Sequence, residues 1–549
     1  MKRNLDRLAN RPFDVLVIGG GIHGALVAWD AVLRGLSVAL IERGDFGSGT
    51  SQNSLKIIHG GLRYLQDGNL LRIRTMAQER TTWMKIAPHL VHPLTCLMPT
   101  RQKFSRSRLA MGVALTINDM LSFDRNHLQD PEKYLAAGRI ISQQELANRL
   151  PGYDVHRSTG AAVWHDAHIH NTERLLLAFI LSAAEAGVEV ANYVEARGLL
   201  KDGNQIIGIS ARDVPSGQLF EIRSNIVLNC TGAWIDSLLE TARLRSEYST
   251  SIAMNIFVDQ VWSGIAAGLP SRPTNGKPPQ ILFIVPWRDK SMIGTWHIPW
   301  DVNPASFELS KSNMQDFIDE INSAHPSLGL TLNDVLHVTW GFLPVNREDA
   351  HKKQVKLTRD GVVIDHHSRD GIAGLISVIG VKYTTARSVA QKAVDLAVAK
   401  LGVHAAPCQT HVTAVSGGCI DDFKAFLNLA LSNRPRDMDE ETVEHWVYSY
   451  GSEYPKLFEY SQAQRIDPIL PVTKAEIIHC ARHEMALTLA DVIQRRTELG
   501  AAGLPSATTL ESCAELMGHE LGWTIERQQQ EISSIIDAYP FRQRERVTS

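Results

Sequence analysis

Runs of consecutive apolar residues alternate with stretches of helical periodicity along the first four hundred positions. Phe13-Asp14-Val15-Leu16-Val17-Ile18 has the pattern of a short buried strand. A glycine-rich turn and a helix follow, and the apolar run Val38-Ala39-Leu40-Ile41 predicts a second strand ending at Glu42. Leu70, Leu71, Ile73, Met76, Ala77, Trp83 and Met84 recur at helical spacing and stop before Pro88. Asn171 to Gly187 predicts another helix, with Leu175, Leu176, Phe179 and Leu181 along it and Gly187 as its stop. Val188 to Val194 reads as one strand, Gln205–Ser210 with Leu219–Ile222 as a hairpin, and Ile226–Cys230 as a buried strand. Residues 240–350 look β-rich, with Ile281–Trp287 and Ser291–Trp296 as neighbouring strands. The runs Val362–Asp365 and Leu375–Gly380 lead into a long helix from near Thr384. Beyond about residue 404 strand signals fade, and His483 to Ile493 is the clearest helix.

Strands that return to a nucleotide-type unit this late predict an interleaved α/β architecture. We expect a nucleotide domain from about 1–100, 150–240 and 350–404, and a β-rich substrate part from about 100–150 and 240–350. A helical domain should occupy 405–549. With 44% hydrophobic and 21% charged residues, 549 residues can bury a large core. The net charge of −3 argues against nucleic acid as a major partner. The six cysteines form no C-x-x-C pair, which favours reduced thiols in a cytoplasmic setting over a disulfide framework or a metal site. The first residues lack an apolar signal segment, and no stretch is long enough for a membrane span. Lys103 to Leu115 joins a basic cluster to an apolar run, the composition either of an interfacial element or of a helix packed on the core with a solvated basic end. Oligomeric state is not readable, and a homodimer stays open.

The glycine turn carries the first chemistry. In Gly19-Gly20-Gly21-Ile22-His23-Gly24, Gly19 permits the tight turn and Gly21 lets a pyrophosphate approach the backbone, while Gly24 lets helix and strand pack closely. The helix amino terminus presents N–H groups to phosphate. Glu42, about 18 residues beyond Gly24, has the spacing of a carboxylate that accepts from an adenosine ribose. This predicts dinucleotide binding and leaves open which dinucleotide.

Two longer motifs narrow the choice: Gly49-Thr50-Ser51-Gln52-Asn53-Ser54-Leu55-Lys56-Ile57-Ile58-His59-Gly60-Gly61-Leu62-Arg63-Tyr64-Leu65 and Gly380-Val381-Lys382-Tyr383-Thr384-Thr385-Ala386-Arg387. Together with Asn229-Cys230-Thr231-Gly232-Ala233-Trp234 and the run Arg482 to Thr488, they make the chain resemble FAD-dependent glycerol-3-phosphate dehydrogenases and oxidases over nearly its whole length. The resemblance implies a Rossmann-like FAD-binding domain interleaved with an α+β substrate domain, plus an all-helical carboxy-terminal domain. It implies FAD contacts at Gly19, Gly21, Gly24, Glu42, Thr50, Ser51, Lys56, His59, Gly60, Gly61, Val194, Thr231, Gly232, Gly380, Lys382 and Thr384. For Val194 that contact would run through the backbone, and plain core is nearly as good a reading. For the substrate it implies a small phosphorylated polyol held by Arg63, Tyr64, Arg359, Lys382 and Thr384. A guanidinium suits phosphate as a planar fork and an ammonium as a point charge. Lys382 directly follows a buried apolar run and so needs a partner or a cavity.

The chain departs from the family at the substrate end. Where a Gly-Val-Arg-Pro-like motif would present an arginine, it reads Gly341-Phe342-Leu343-Pro344, and Arg347 could replace that charge only if the loop differs. The family's Lys-Gly-Ser-His segment is not recognisable near Met254 to Gln260, and its Gly-Thr-Thr-Asp turn appears as Gly294-Thr295-Trp296-His297. We therefore expect oxidation of a secondary alcohol by hydride transfer to flavin, most simply glycerol 3-phosphate to dihydroxyacetone phosphate. The same chemistry on another polyol phosphate or a hydroxy acid is the alternative. Arg63, Arg359 and Lys382 would hold the anionic end, and His59 or His297 would take the hydroxyl proton. Electrons would pass to quinone or oxygen, with the segment near 101–115 as a candidate peripheral membrane contact on the inner face of the cell membrane. An amine oxidase, a nicotinamide enzyme and a non-catalytic flavin-binding partner protein are the competing readings.

Overall fold

Strands that are apolar almost throughout are buried on both faces, and Phe13–Ile18, Val38–Ile41 and Leu375–Ile379, interrupted only by Asp14 and Ser377, supply them. In the computed structural model these build the first of two large sheets. The model describes residues 1–539 except 103–105, 273–279, 301–303, 348–357, 359 and 461–462, and for Arg63, Gln66, Asp67 and Ala305 the backbone alone. The first sheet runs Val362–Asp365, Leu375–Ile379, Leu219–Asn229, Phe13–Ile18, Val38–Ile41, Glu189–Ala191. Along this path the pairs are parallel except at the Val362–Asp365 edge, and Gln205–Asp213 with Val194–Asp202 extend Leu219–Asn229 as an antiparallel arm. The helices Ile22–Leu33, Thr172–Glu185 and Ala386–Leu401 pack together against it, over a core that includes Trp29, Trp83 and Phe179. Trp29 and Trp83 lie with their ring centroids 5.3 and 5.4 Å from that of Phe179, a tilted and an edge-on contact.

The second sheet runs His337–Asn346, Tyr248–Asp259, Lys290–Trp300, Ile281–Trp287, Ile265–Pro270, Val91–Thr100, Gly160–Ile169, Ile57–Ile58. Strands Val91–Thr100 and Gly160–Ile169, expected in the nucleotide domain, pair with each other over their full length in this second sheet. Contiguity with the first unit hid this, because buried strands of either sheet look alike in sequence. Gly294 to His297 is likewise no turn; it lies inside the strand Lys290–Trp300, opposite a register shift at Met254/Asn255. The expected strand Val188–Val194 breaks at Tyr193, whose φ of +54° ends one strand and lets Val194–Asp202 start in a new direction.

The carboxy-terminal region is helical, with its own core of Ile477, Cys480, Leu489, Val492 and Met517 among others. The helix expected from His483 to Ile493 is two elements. Lys474–His483 ends at Glu484, Met485 turns left-handed (φ +55°), and Thr488 caps a new start with Asp491 in a capping box.

Candidate functional site

The glycine turn is shaped by backbone contacts. Gly19 has φ +106°, and a Cβ there would lie 2.6 Å from the Cys230 carbonyl oxygen. A Cβ on Gly24 would lie 1.8 Å from the Gly19 carbonyl oxygen, so no side chain fits at the helix–strand crossing. On Gly21 a Cβ would meet only Ser51 Oγ, at 3.2 Å, and on Gly232 it would meet nothing within 4 Å. Those two glycines keep the cleft open beside the amino terminus of the helix Ile22–Leu33.

That cleft, about 1990 Å³, runs from the glycine turn to the face of the second sheet. Gly19, Gly21, Glu42, Thr50, Ser51, Val194, Thr231 and Gly232 line it at one end. His59, Gly61, Tyr64, Gly380, Lys382 and Thr384 line it further along. Glu42 is half-buried and accepts from the N–H groups of Gly20 (2.8 Å) and Gly44 (2.9 Å). Burial raises its pKa against those two bonds. Ser51 Oγ accepts from Ile22 N at 3.0 Å. Val194 lines the cleft, but its N–H is donated to the Glu42 carbonyl at 2.8 Å.

The two long motifs meet. The His59 N–H donates to Thr384 Oγ1 at 3.2 Å, across 325 residues of chain, and Tyr383 OH donates to the Ser51 carbonyl at 2.7 Å. Trp83 Nε1 donates to the Thr384 carbonyl at 3.1 Å, fixing the other side of the loop. Lys382 Nζ lies 4.5 Å from the centroid of the Tyr64 ring, whose surroundings also include Arg72 at 5.2 Å. Arg72 in turn forks onto Asp360, next to Arg359. Arg359 itself lies outside the described residues, as does the side chain of Arg63.

Two expected cofactor contacts, Lys56 and Gly60, do not line the cleft, and the hydroxyl of a third, Thr50, is already engaged. Lys56 has φ +59°, which swings its buried ammonium onto Thr172 Oγ1 (2.9 Å) and the Glu173 carboxylate (3.0 Å), away from the cleft. Gly60 donates its N–H to Asp166 Oδ1 (2.6 Å), and a Cβ there would fall 2.3 Å from Arg80 Nη1; its role is to let this buried pair pass. The Thr50 hydroxyl donates to the Phe342 carbonyl (3.0 Å) and accepts from the Phe342 N–H (2.9 Å), so it ties the turn to the second sheet.

At the far end, Leu343 lines the cleft with Asn255, Phe283, Thr295 and His297. Arg347 offers no replacement charge, because it is engaged with Asp236 Oδ2 (2.8 Å) and the Tyr248 carbonyl (2.9 Å). Arg106 lines this cleft without a carboxylate partner among the described residues, and burial beside Arg101 lowers its pKa. No sequence signal marks this placement, since Arg106 sits in an ordinary basic cluster. His23 was visible only as a variable position of the glycine motif. It lines the cleft, its ring fills the space over Gly380, and its buried Nε2 has no hydrogen-bond partner among the described residues. Burial pushes its pKa down to about 4, so it is a neutral imidazole.

A glycine cradle, an open helix terminus and an orphaned ring nitrogen fit a bound dinucleotide. Comparison with known proteins agrees. The family described as FAD dependent oxidoreductase matches residues 14–378, and that described as the C-terminal domain of alpha-glycerophosphate oxidase matches 408–528. A glycerol-3-phosphate dehydrogenase of Synechocystis sp. is 32% identical over 96% of this chain and 96% of its own. The mitochondrial glycerol-3-phosphate dehydrogenase of Homo sapiens is 30% identical over 95% of this chain and 72% of its own. The glycerol-3-phosphate dehydrogenase from Bacillus halodurans, solved with FAD, shares the fold at a TM-score of 0.78 and 23% identity, covering 97% of this chain and 96% of that one.

Proposed function

The chain belongs to the FAD dependent oxidoreductase family, and from that premise we propose how its cleft oxidises glycerol 3-phosphate. The cofactor is FAD. Bound in the cleft, it would supply a two-electron acceptor for the hydride on the substrate's C2, with quinone or oxygen as the final electron acceptor. Gly19, Gly21, Ser51, Thr231 and Gly232 would hold its pyrophosphate, with Glu42 at the adenosine end and Gly61, Gly380 and Thr384 at the flavin end. Lys382 and Tyr64, which line the cleft, hold the substrate's anionic end, a role that the resemblance extends to Arg63 and Arg359. His59 takes the C2 hydroxyl proton, and His297, which also lines the cleft, is the second candidate. Asp166 orients the His59 turn through the Gly60 N–H.

The observation that carries this reading is the His59–Thr384 bond. It brings a proton acceptor and the Lys382 segment to one stretch of a cleft whose other end is the glycine cradle. Anaerobic mixing of the purified protein with glycerol 3-phosphate tests it, and the flavin absorbance band should bleach. Bleaching by another polyol phosphate or a hydroxy acid but not by glycerol 3-phosphate would move the substrate to that class, in line with Leu343. Bleaching by amines alone would overturn alcohol oxidation.

The helix Arg108–Leu121 supports quinone as the acceptor. Met111 and Ala114 on one side of it line the cleft, while Leu109, Val113 and Met120 face outward, with Phe123 exposed just beyond. No helix among the described residues is long and apolar enough to cross a membrane. An exposed apolar stripe beside Arg101, Arg106 and Arg108 suits peripheral contact with an anionic lipid surface, from which an apolar quinone would reach the cleft. Sedimentation with anionic vesicles should carry the protein down, and Val113→Glu should release it. Wild-type protein that stays in the supernatant would point to oxygen as acceptor, and equal sedimentation of both proteins would remove the Val113 face from the contact.

A further inference from the structure

The helical domain reaches the adenosine end of the cleft through one buried ion cluster. After the short helix Leu489–Asp491, the turn Val492–Arg496 is π-wound, which brings the adjacent Arg495 and Arg496 round to a single target. Arg495 Nε donates to Asp45 Oδ2 at 2.6 Å, while Arg496 donates to both carboxylate oxygens at 2.7 Å. Arg495 continues to Asp491 Oδ1 (2.7 Å) and Gln52 Oε1 (3.4 Å). From the other side, Asn192 Nδ2 donates to Asp45 Oδ1 (3.1 Å) and the Met485 carbonyl (2.8 Å), and Tyr193 OH donates to Asp491 Oδ1 (2.7 Å).

Two backbone segments flank the adenosine end, residues 42–52 and 192–194, and this cluster holds both. They are also joined directly, by Tyr193 N to the Gly44 carbonyl (2.9 Å) and Val194 N to the Glu42 carbonyl (2.8 Å). Among the described residues, Asp45, Gln52, Asn192, Tyr193, Asp491, Arg495 and Arg496 do not line the cleft, whereas their neighbours Glu42, Ser51 and Val194 do. Buried ions of this kind add little net stability over apolar packing, and what they can add is a fixed geometry. The two arginines outweigh burial and hold Asp45 below the usual carboxylate range, so the cluster stays charged.

We propose that the helical domain is a clasp on the cofactor, in which Arg495 and Arg496, acting through Asp45 and Gln52, are positioning residues that set how tightly the adenosine-diphosphate half is held. This rests on the reading that the cleft from Gly19 to Glu42 takes that half of FAD. The test uses the full-length holoenzyme, diluted while free-flavin fluorescence reports FAD release, with ADP as competitor for rebinding. Arg495→Met should weaken FAD by at least about tenfold, and Gln52→Met and Tyr193→Phe by about two- to fivefold each, ADP weakening in parallel. With FAD saturating, the flavin spectrum and the KM for glycerol 3-phosphate should stay within about twofold of wild type, and Arg495→Lys should recover part of the loss. If Arg495→Met does not fold, the two milder variants decide. FAD release unchanged in both, or FAD weakened with ADP untouched, would overturn the clasp. Wild-type protein that takes up no FAD would instead overturn the functional reading beneath it.

Discussion

At the glycine end of the cleft the backbone itself makes the site, whereas at the sheet end the site is made by side chains projecting from strands. Gly19 and Gly24 touch carbonyl oxygens so closely that any Cβ collides, and the neighbouring N–H donors already have fixed partners, Gly20 and Gly44 in Glu42 and Ile22 in Ser51. Nothing comparable constrains Leu343, which sits on the strand His337–Asn346 opposite Ser251 and can change without moving the chain. The difference teaches why a cofactor can stay fixed while a substrate pocket is rewritten: backbone geometry tolerates few sequences, while a strand position tolerates many.

The sharpest way to break this contrast is Gly24→Ala. The new methyl would have to displace the Gly19 carbonyl, so the variant should purify without the flavin absorbance band. Retained flavin would mean that the turn is softer than its contacts indicate. Lys382→Met acts at the junction of the two ends and comes next. It should keep FAD but lose about 100-fold or more in kcat/KM, since the charge proposed to hold the substrate is removed while the loop remains pinned by Tyr383 and Thr384. Near-normal turnover would remove Lys382 from the substrate site.

Leu343→Arg tests the sheet end in the opposite direction. If the phosphate lies against this strand, the added guanidinium should lower the KM for glycerol 3-phosphate by about tenfold, the scale of one charge-assisted contact. A raised KM would place the anionic group nearer Lys382. Acid affects the glycine end through His23. Its pKa falls from an ordinary 6.5 to about 4 on burial, so the unfolded chain takes up the proton first. Its contribution is complete above about pH 6.5 and shrinks as the pH falls towards 4. His89 and His168, pushed down to about 3, act in the same direction. The melting temperature should therefore decline through this window, and His23→Asn should make the decline shallower. An unchanged slope would show that His23 is not neutral and buried in solution.

These contrasts match what could be read from sequence. The strand–turn–helix unit was legible because uninterrupted apolar runs and obligatory glycines leave few alternative folds. The meeting of the His59 and Lys382 motifs was legible only through resemblance, since no local pattern reports a bond between segments so far apart. Lys56 misled because its left-handed backbone, which turns the side chain round to Glu173, leaves no mark in composition. The break at Glu484 did have a signal, Thr488 followed by Asp491 in a capping box, but the apolar periodicity around it dominated. Arg495 and Arg496 carried none, because their partner Asp45 lies at the other end of the chain.

The smallest expected effect separates the two ends most cleanly. Thr50 sits in the motif that resembles a pyrophosphate contact, yet its hydroxyl both donates to and accepts from the Phe342 backbone, one residue from Leu343. Thr50→Val keeps the shape and removes both bonds, leaving the Phe342 N–H and carbonyl to find other partners at a cost of about 1–3 kcal/mol. If the hydroxyl belongs to the sheet end, FAD release on dilution should be unchanged, while the KM for glycerol 3-phosphate rises about threefold as the strand carrying Leu343 loosens. If it belongs to the cofactor, the pattern reverses, with weaker FAD and a KM that holds once FAD is saturating. The first outcome would establish Thr50 as the tie through which a rigid cradle positions a variable wall.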